Sequence, residues 1–124
     1  AMADVDAGRV IDQQAVQAWA DSLSLFAAAG TSLMELKWTS KALSDLARLF
    51  DFLAVVNRMA AARTVQSLSQ APLSLLSNPR IGERVEEFEP RDVRRLLVGH
   101  YEMRYEIQES TLYILRLWHV REDR

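Results

Sequence analysis

The chain has no cysteine, two histidines, two lysines and no apolar run approaching the roughly 18–20 residues that cross a bilayer. Without cysteine there is no disulfide framework and no thiolate metal site, and the default reading is a cytoplasmic protein. His100 and His119 lie far apart, and neither has a carboxylate cluster at a ligand spacing, so no metal site is expected. A glycine-rich phosphate loop and a Ser-His-Asp pattern are both missing, and with them any reason to expect a cofactor. The N-terminus is acidic where a secretory signal would be basic, so no membrane segment or leader is expected.

What is present suits one domain with an appendage. Of 124 residues, 49% are hydrophobic, enough for a single core but not for two packed domains. The net charge of −2 divides unevenly at Met34: one basic residue against four acidic before it, −3, and 14 against 13 from there on, +1. An acidic arm beside a slightly basic body is weakly attracted to it. The same balance argues against a dedicated nucleic-acid surface, which carries a clear basic excess. Arginine nonetheless outnumbers lysine 13 to 2, and guanidinium groups pair bidentately with phosphates and carboxylates alike.

Periodicity sets out the elements. Asp12 is a good N-cap, and Ala15, Val16, Trp19 and Leu23 recur at helical spacing, which predicts a short amphipathic helix from about 13 to 24. A small-residue linker follows, Phe26 to Ser32. Met34, Leu36 and Trp38 alternate as in a strand, Thr39 or Ser40 caps a helix carrying Leu43, Leu46, Phe50 and Leu53, and Asn57 starts a second helix through Ala61, Val65 and Leu68. Pro72 then kinks or restarts it. From Ile81 the period becomes two: strands are expected at Val85–Phe88, Val93–Val98, Tyr101–Ile107 and Leu112–Trp118, with turns at Gly99-His100 and Glu109-Ser110. Tyr101, Met103, Tyr105 and Ile107 share one face, and Glu102, Arg104 and Glu106 the other. In the last strand Leu112, Ile114 and Trp118 point one way, and Tyr113, Leu115 and Leu117 the other. That leaves apolar side chains on the sheet's free face, where the Trp19 helix is the natural occupant. Arg104 and Arg116 are expected to pair across strands with Glu102, Glu106 or Glu109, and Glu86, Glu87 and Glu89 to form a solvated edge.

The order and spacing of Pro79-Arg80-Ile81-Gly82, of Val93-Arg94-Arg95-Leu96-Leu97-Val98-Gly99, of Tyr101 to Ile107 and of Trp118-His119-Val120-Arg121 resemble the RelE/ParE family of bacterial toxins, and the resemblance extends back to Met34. It implies an α+β fold of order β-α-α-β-β-β, an antiparallel-rich sheet with a helical hairpin on one face, here preceded by the N-terminal amphipathic helix. Upstream, Ala3 to Leu23, with Asp4, Asp6, Gly8-Arg9, Asp12 and the helix bearing Val16, Trp19 and Leu23, resembles the C-terminal portion of the antitoxins encoded beside such toxins. The chain thus divides into an antitoxin-like segment and linker, 1–33, and a toxin domain, 34–124. Val16, Trp19 and Leu23 are the expected antitoxin-helix contacts.

The family has two activities, and a few positions separate them. RelE-like members cut mRNA in the ribosome, where cationic groups stabilise the phosphoryl transition state and a Tyr or His moves protons; ParE-like members inhibit DNA gyrase. Candidates for RNA cleavage are Arg94, Arg95, His119 and Arg121. Yet Glu102 stands where RelE-like enzymes place an arginine after the Tyr that opens the strand, and no tyrosine follows Arg121. His119-Val120-Arg121 instead resembles the His-x-Arg ending of ParE-like toxins. The expected function is therefore a type II toxin that inhibits growth by binding gyrase. The alternatives are an mRNA endoribonuclease working with the ribosome, and an inactive remnant serving as an interaction module. Expected partners are a cognate antitoxin, or the chain's own N-terminal helix in cis or by exchange in a homodimer, and a partner face including Arg104, Leu112, Ile114, Arg116 and Trp118.

Overall fold

A computed structural model of the chain describes residues 10–22 and 34–121. The alternating segment before the first capping residue forms strand β2, Glu35–Thr39, with Leu36 and Trp38 buried. The Thr39 hydroxyl ends the strand and starts helix α2, Ser40–Ala54: it accepts from the Ala42 N–H at 3.1 Å and donates between the carbonyls of Ile114 and Leu115 at 3.0 Å each. Asn57 caps helix α3, Arg58–Gln70, in the same way, accepting from the Ala60 N–H at 3.0 Å. Pro72 lies near the start of a 3-10 turn, Ala71–Leu76, that drops Leu75 into the core.

The sheet has six strands in the order β1-β2-β6-β5-β4-β3, comprising also β1 (Val10–Asp12), β3 (Glu83–Arg84), β4 (Val93–Val98), β5 (Tyr101–Gln108) and β6 (Thr111–His119). The β2–β6 pair is parallel and the others antiparallel. Leu46, Leu49, Ala61, Val65 and Leu68 of the hairpin share one buried core with Met103, Tyr105, Leu112, Ile114 and Leu117 of the sheet. Each large apolar side chain fully removed from water there contributes about 1.5–3 kcal/mol.

Three sequence expectations need correction. The segment Val85–Phe88 is not a strand: Glu83 and Arg84 pair with β4, the Val85 N–H makes one further bond to the Val93 carbonyl at 2.8 Å, and Glu86–Phe88 is a 3-10 turn. Strand β1 is an addition, pairing Val10–Asp12 antiparallel with Thr39–Lys37. The third correction concerns β6. Arg104 pairs with Arg116 but Tyr105 with Ile114, so Leu115 is an extra residue that shifts the parity. Leu112, Ile114 and Leu117 face the hairpin, while Trp118 joins Glu102 and Arg104 on the opposite side.

The N-terminal helix α1, Gln13–Asp21, does not occupy the sheet's free face either. It lies against α3 and β2 on the helical side, with Val16 and Ala20 fully buried and Trp19 partly so. Leu23 and the linker from 25 to 33 lie outside the described residues.

Candidate functional site

The seat of α1 combines an apolar stripe with a buried polar ladder. Gln13, Gln17 and Asp21 recur every fourth residue, so they stack along one side of the helix next to Val16 and Ala20. The Trp38 indole N–H donates to Gln13 Oε1 at 2.6 Å, and Gln13 Nε2 donates to the Ser69 carbonyl at 2.8 Å and to Gln17 Oε1 at 3.2 Å. Gln17 Nε2 continues to Asp21 Oδ1 at 2.9 Å, and Gln66 Nε2 reaches the Ala20 carbonyl at 3.2 Å. No buried side-chain polar atom among the described residues lacks a partner. A network so satisfied specifies one register, because a slip would leave amides unpaired in a dry site. Next to it the Trp19 ring meets Phe50 edge-on, centroids 6.4 Å apart. Sequence reading found the apolar stripe but missed the ladder; the Gln-x3-Gln-x3-Asp spacing was its visible signal.

The four arginine and histidine candidates for RNA cleavage do not converge. Arg94 is a fastener: Nε donates to Asp92 at 2.9 Å and Nη1 to the Arg80 and Gly82 carbonyls at 3.1 and 3.0 Å. Tyr105 completes that clasp, donating to the Pro79 carbonyl at 2.7 Å and accepting from the Gly82 N–H at 3.0 Å; burial pushes its phenol above the ordinary tyrosine value. A side chain on Gly82 would collide with the Tyr105 ring and the Arg95 carbonyl, which explains the glycine there. Arg95 is exposed and pairs with Glu83 at 2.9 Å; the hydrogen bond to Glu83, then the Glu83 charge, raise its pKa. His119 lies at the other end of the sheet. It pairs with Tyr101, four residues along β5 from the partner of Arg94, a strand length of about 13 Å. There its ring stacks on His100 at 6.0 Å and meets Tyr101 edge-on, and its Nδ1 accepts from the Arg121 N–H at 3.1 Å.

The expected partner face also breaks up. Leu112 and Ile114 are completely buried under the hairpin, so they present nothing outward. Arg116 pairs with Asp45 of α2: Nε to Oδ2 at 2.7 Å and Nη2 to Oδ1 at 3.2 Å. Asp45 Oδ2 also accepts from the Leu117 N–H at 3.0 Å, serving β6 just where β2 has turned away. Arg104 and Trp118 do stand on the free face, but the segment between β3 and β4 folds over them. The Arg104 guanidinium sits between the Phe88 and Trp118 rings, 5.8 and 5.1 Å from their centroids, and bonds Glu102 at 3.2 Å. Arg91 closes the cover with a bidentate bond to the buried Glu106, at 2.7 and 3.1 Å.

The family model described as ParE toxin of type II toxin-antitoxin system, parDE, matches residues 36–124. The chain belongs to that family. Among solved structures it is similar to a chain of the chromosomal ParDE TA system from P. aeruginosa, at 25% identity and a TM-score of 0.61, covering 72% of this chain and 98% of that one. No curated protein matches the sequence. The ParE match opens inside β2, so β1 and α1 precede it, and the whole polar ladder joins the ParE body to residues outside the match. Among the described residues no helix is long and apolar enough to cross a membrane, and no group of three or more His, Cys, Asp or Glu stands where it would hold a metal ion.

Proposed function

We propose that residues 34–124 are a ParE-type toxin that stops growth by binding and inhibiting DNA gyrase, and that the segment before them is an antitoxin-derived clamp that silences it. The observation carrying the second half is the seat of α1: an apolar and amide-lined contact, complete in its hydrogen bonds, between the matched ParE body and a segment outside the match. A tethered helix needs only modest affinity, because its effective concentration at the seat is high. The ParDE likeness supports a separate antitoxin as the free partner of this body; such a protein would compete with α1 for the same seat.

The arginines favour gyrase over RNA as the target. Gyrase inhibition is supported over RNA cleavage because Arg94 is bonded to Asp92 and to the Arg80 and Gly82 carbonyls, Arg94 and His119 stand apart, and a carboxylate, Glu102, follows Tyr101. Opening the clamp with Val16→Asp places a carboxylate in a fully buried apolar position. Supercoiling by purified gyrase should then be inhibited by the Val16→Asp chain and not by the unmodified chain at equal concentration. Normal supercoiling with a folded Val16→Asp chain would count against gyrase as target; equal inhibition by both would count against the clamp.

A further inference from the structure

The connection between α2 and α3 carries the most exposed apolar cluster among the described residues. Phe52, Val55, Val56 and Met59 are 73%, 86%, 89% and 72% exposed within eight residues of sequence. Other exposed apolar residues, such as Ile81, Leu97 and Val120, are scattered singly, as on any soluble surface. The tip is also held firmly. The Val56 and Asn57 N–H groups both donate to the Leu53 carbonyl at 3.1 Å, and the Asn57 cap fixes the next turn. A pre-set knob loses little conformational freedom on binding.

Its surroundings are cationic. Arg48, which pairs with Asp45 at 3.6 Å, lies one helical turn before Phe52, and Arg63 one turn after Met59. Arg58 lies between them, its guanidinium 5.2 Å over the Phe50 ring, against a single exposed acid, Asp51. Phe, Met and Arg are the residue types enriched in protein interface centres. Three arginines, one of them paired with Asp45, fall short of the cluster of roughly 4–8 basic residues that marks an anionic-bilayer site, which works against a bilayer as the occupant. The knob adjoins the seat of α1: the Phe50 ring that carries Arg58 also meets Trp19, so a target seated on the tip would contend with α1 along this edge.

We infer that the α2–α3 tip, through Phe52, Val55, Val56 and Met59, is the surface that engages the toxin's protein target, in an apolar pocket rimmed by carboxylates. This rests on the gyrase reading above and names the surface that would serve it. The test uses the full chain carrying Val16→Asp, with and without Val55→Ser, Val56→Ser and Met59→Gln, binding to immobilised gyrase holoenzyme. These positions are exposed, so thermal unfolding should be the same for both chains. The expected result is binding by the opened chain and a loss of about tenfold or more with the tip changed, as for interface hot spots. Equal binding by both would overturn the inference while leaving the gyrase reading intact. No binding by the opened chain would remove the gyrase reading and this inference with it. Tip-dependent sedimentation with vesicles of phosphatidylglycerol, without tip-dependent gyrase binding, would assign the knob to lipid and overturn the inference as well.

Discussion

Where the hairpin α2–α3 meets the sheet, the contact is made by Leu46, Val65, Leu68, Met103, Ile114 and Leu117; where α3 meets α1, Val16 and Ala20 are accompanied by Gln13, Gln17, Asp21, Ser69 and the Trp38 N–H. The first contact is mainly apolar and draws most of its strength from area, with Asp45 of α2 adding bonds to Arg116 and the Leu117 N–H at one end of β6. The second divides its work, with apolar burial giving affinity and the amide ladder giving register. An interior can rely mostly on area; a segment that must find one seat among several apolar grooves gains from a continuous ladder of directional bonds. The difference supports the view of β1 and α1 as a docked partner rather than an ordinary first helix.

Substitutions on the two sides should separate accordingly. Ile114→Ala, in the sheet core, should destabilise the whole chain by about 2–5 kcal/mol in denaturant unfolding, with no change in the relative protection of α1. Asp45→Ala removes the partner of Arg116 and of the Leu117 N–H, and should lower stability by about 1.5–3 kcal/mol, with increased exchange of the Leu117 amide. Gln13→Ala leaves the Trp38 indole N–H and the Ser69 carbonyl without their partner, a loss of about 1–3 kcal/mol read as easier proteolysis of the segment before Met34 while the body stays folded. At the small end, Glu83→Ala breaks only an exposed pair with Arg95 and should leave the denaturation midpoint essentially unchanged.

One prediction concerns pH. The Tyr105 phenol is raised above its ordinary value of 10.0 chiefly by burial, so the folded state favours the neutral form. Its contribution is complete below the unfolded tyrosine pKa and is lost as pH rises through that value toward the higher folded one. Denaturation midpoints should therefore fall in that alkaline window, and Tyr105→Phe should flatten the fall while loosening the Pro79–Gly82 clasp.

Much of the fold was legible because its signals are local. Thr39 and Asn57 act as the expected caps, Pro72 ends α3, and β4, β5 and the β4–β5 turn fall where alternation places them. The misreadings arose from effects that local pattern does not carry. Leu115 is an extra residue opposite Arg104 and Tyr105, and one inserted residue reverses every later side chain, so Trp118 changes face and Leu117 enters the core. The seat of α1 depended on Ser69 and Trp38, remote in sequence and unremarkable alone. The free face of the sheet looked available because nothing in the pattern announced that Phe88 and Arg91 would fold back over Arg104 and Glu106.

Native-state hydrogen exchange on the full chain tests the central distinction most directly. Docked-segment behaviour predicts that amides of Val16 to Ala20 exchange through an opening that leaves Met103 and Leu117 protected, with a free energy clearly below that of global unfolding. Exchange of both sets together, at the global rate, would show that α1 is an integral part of the toxin core and would contradict the account.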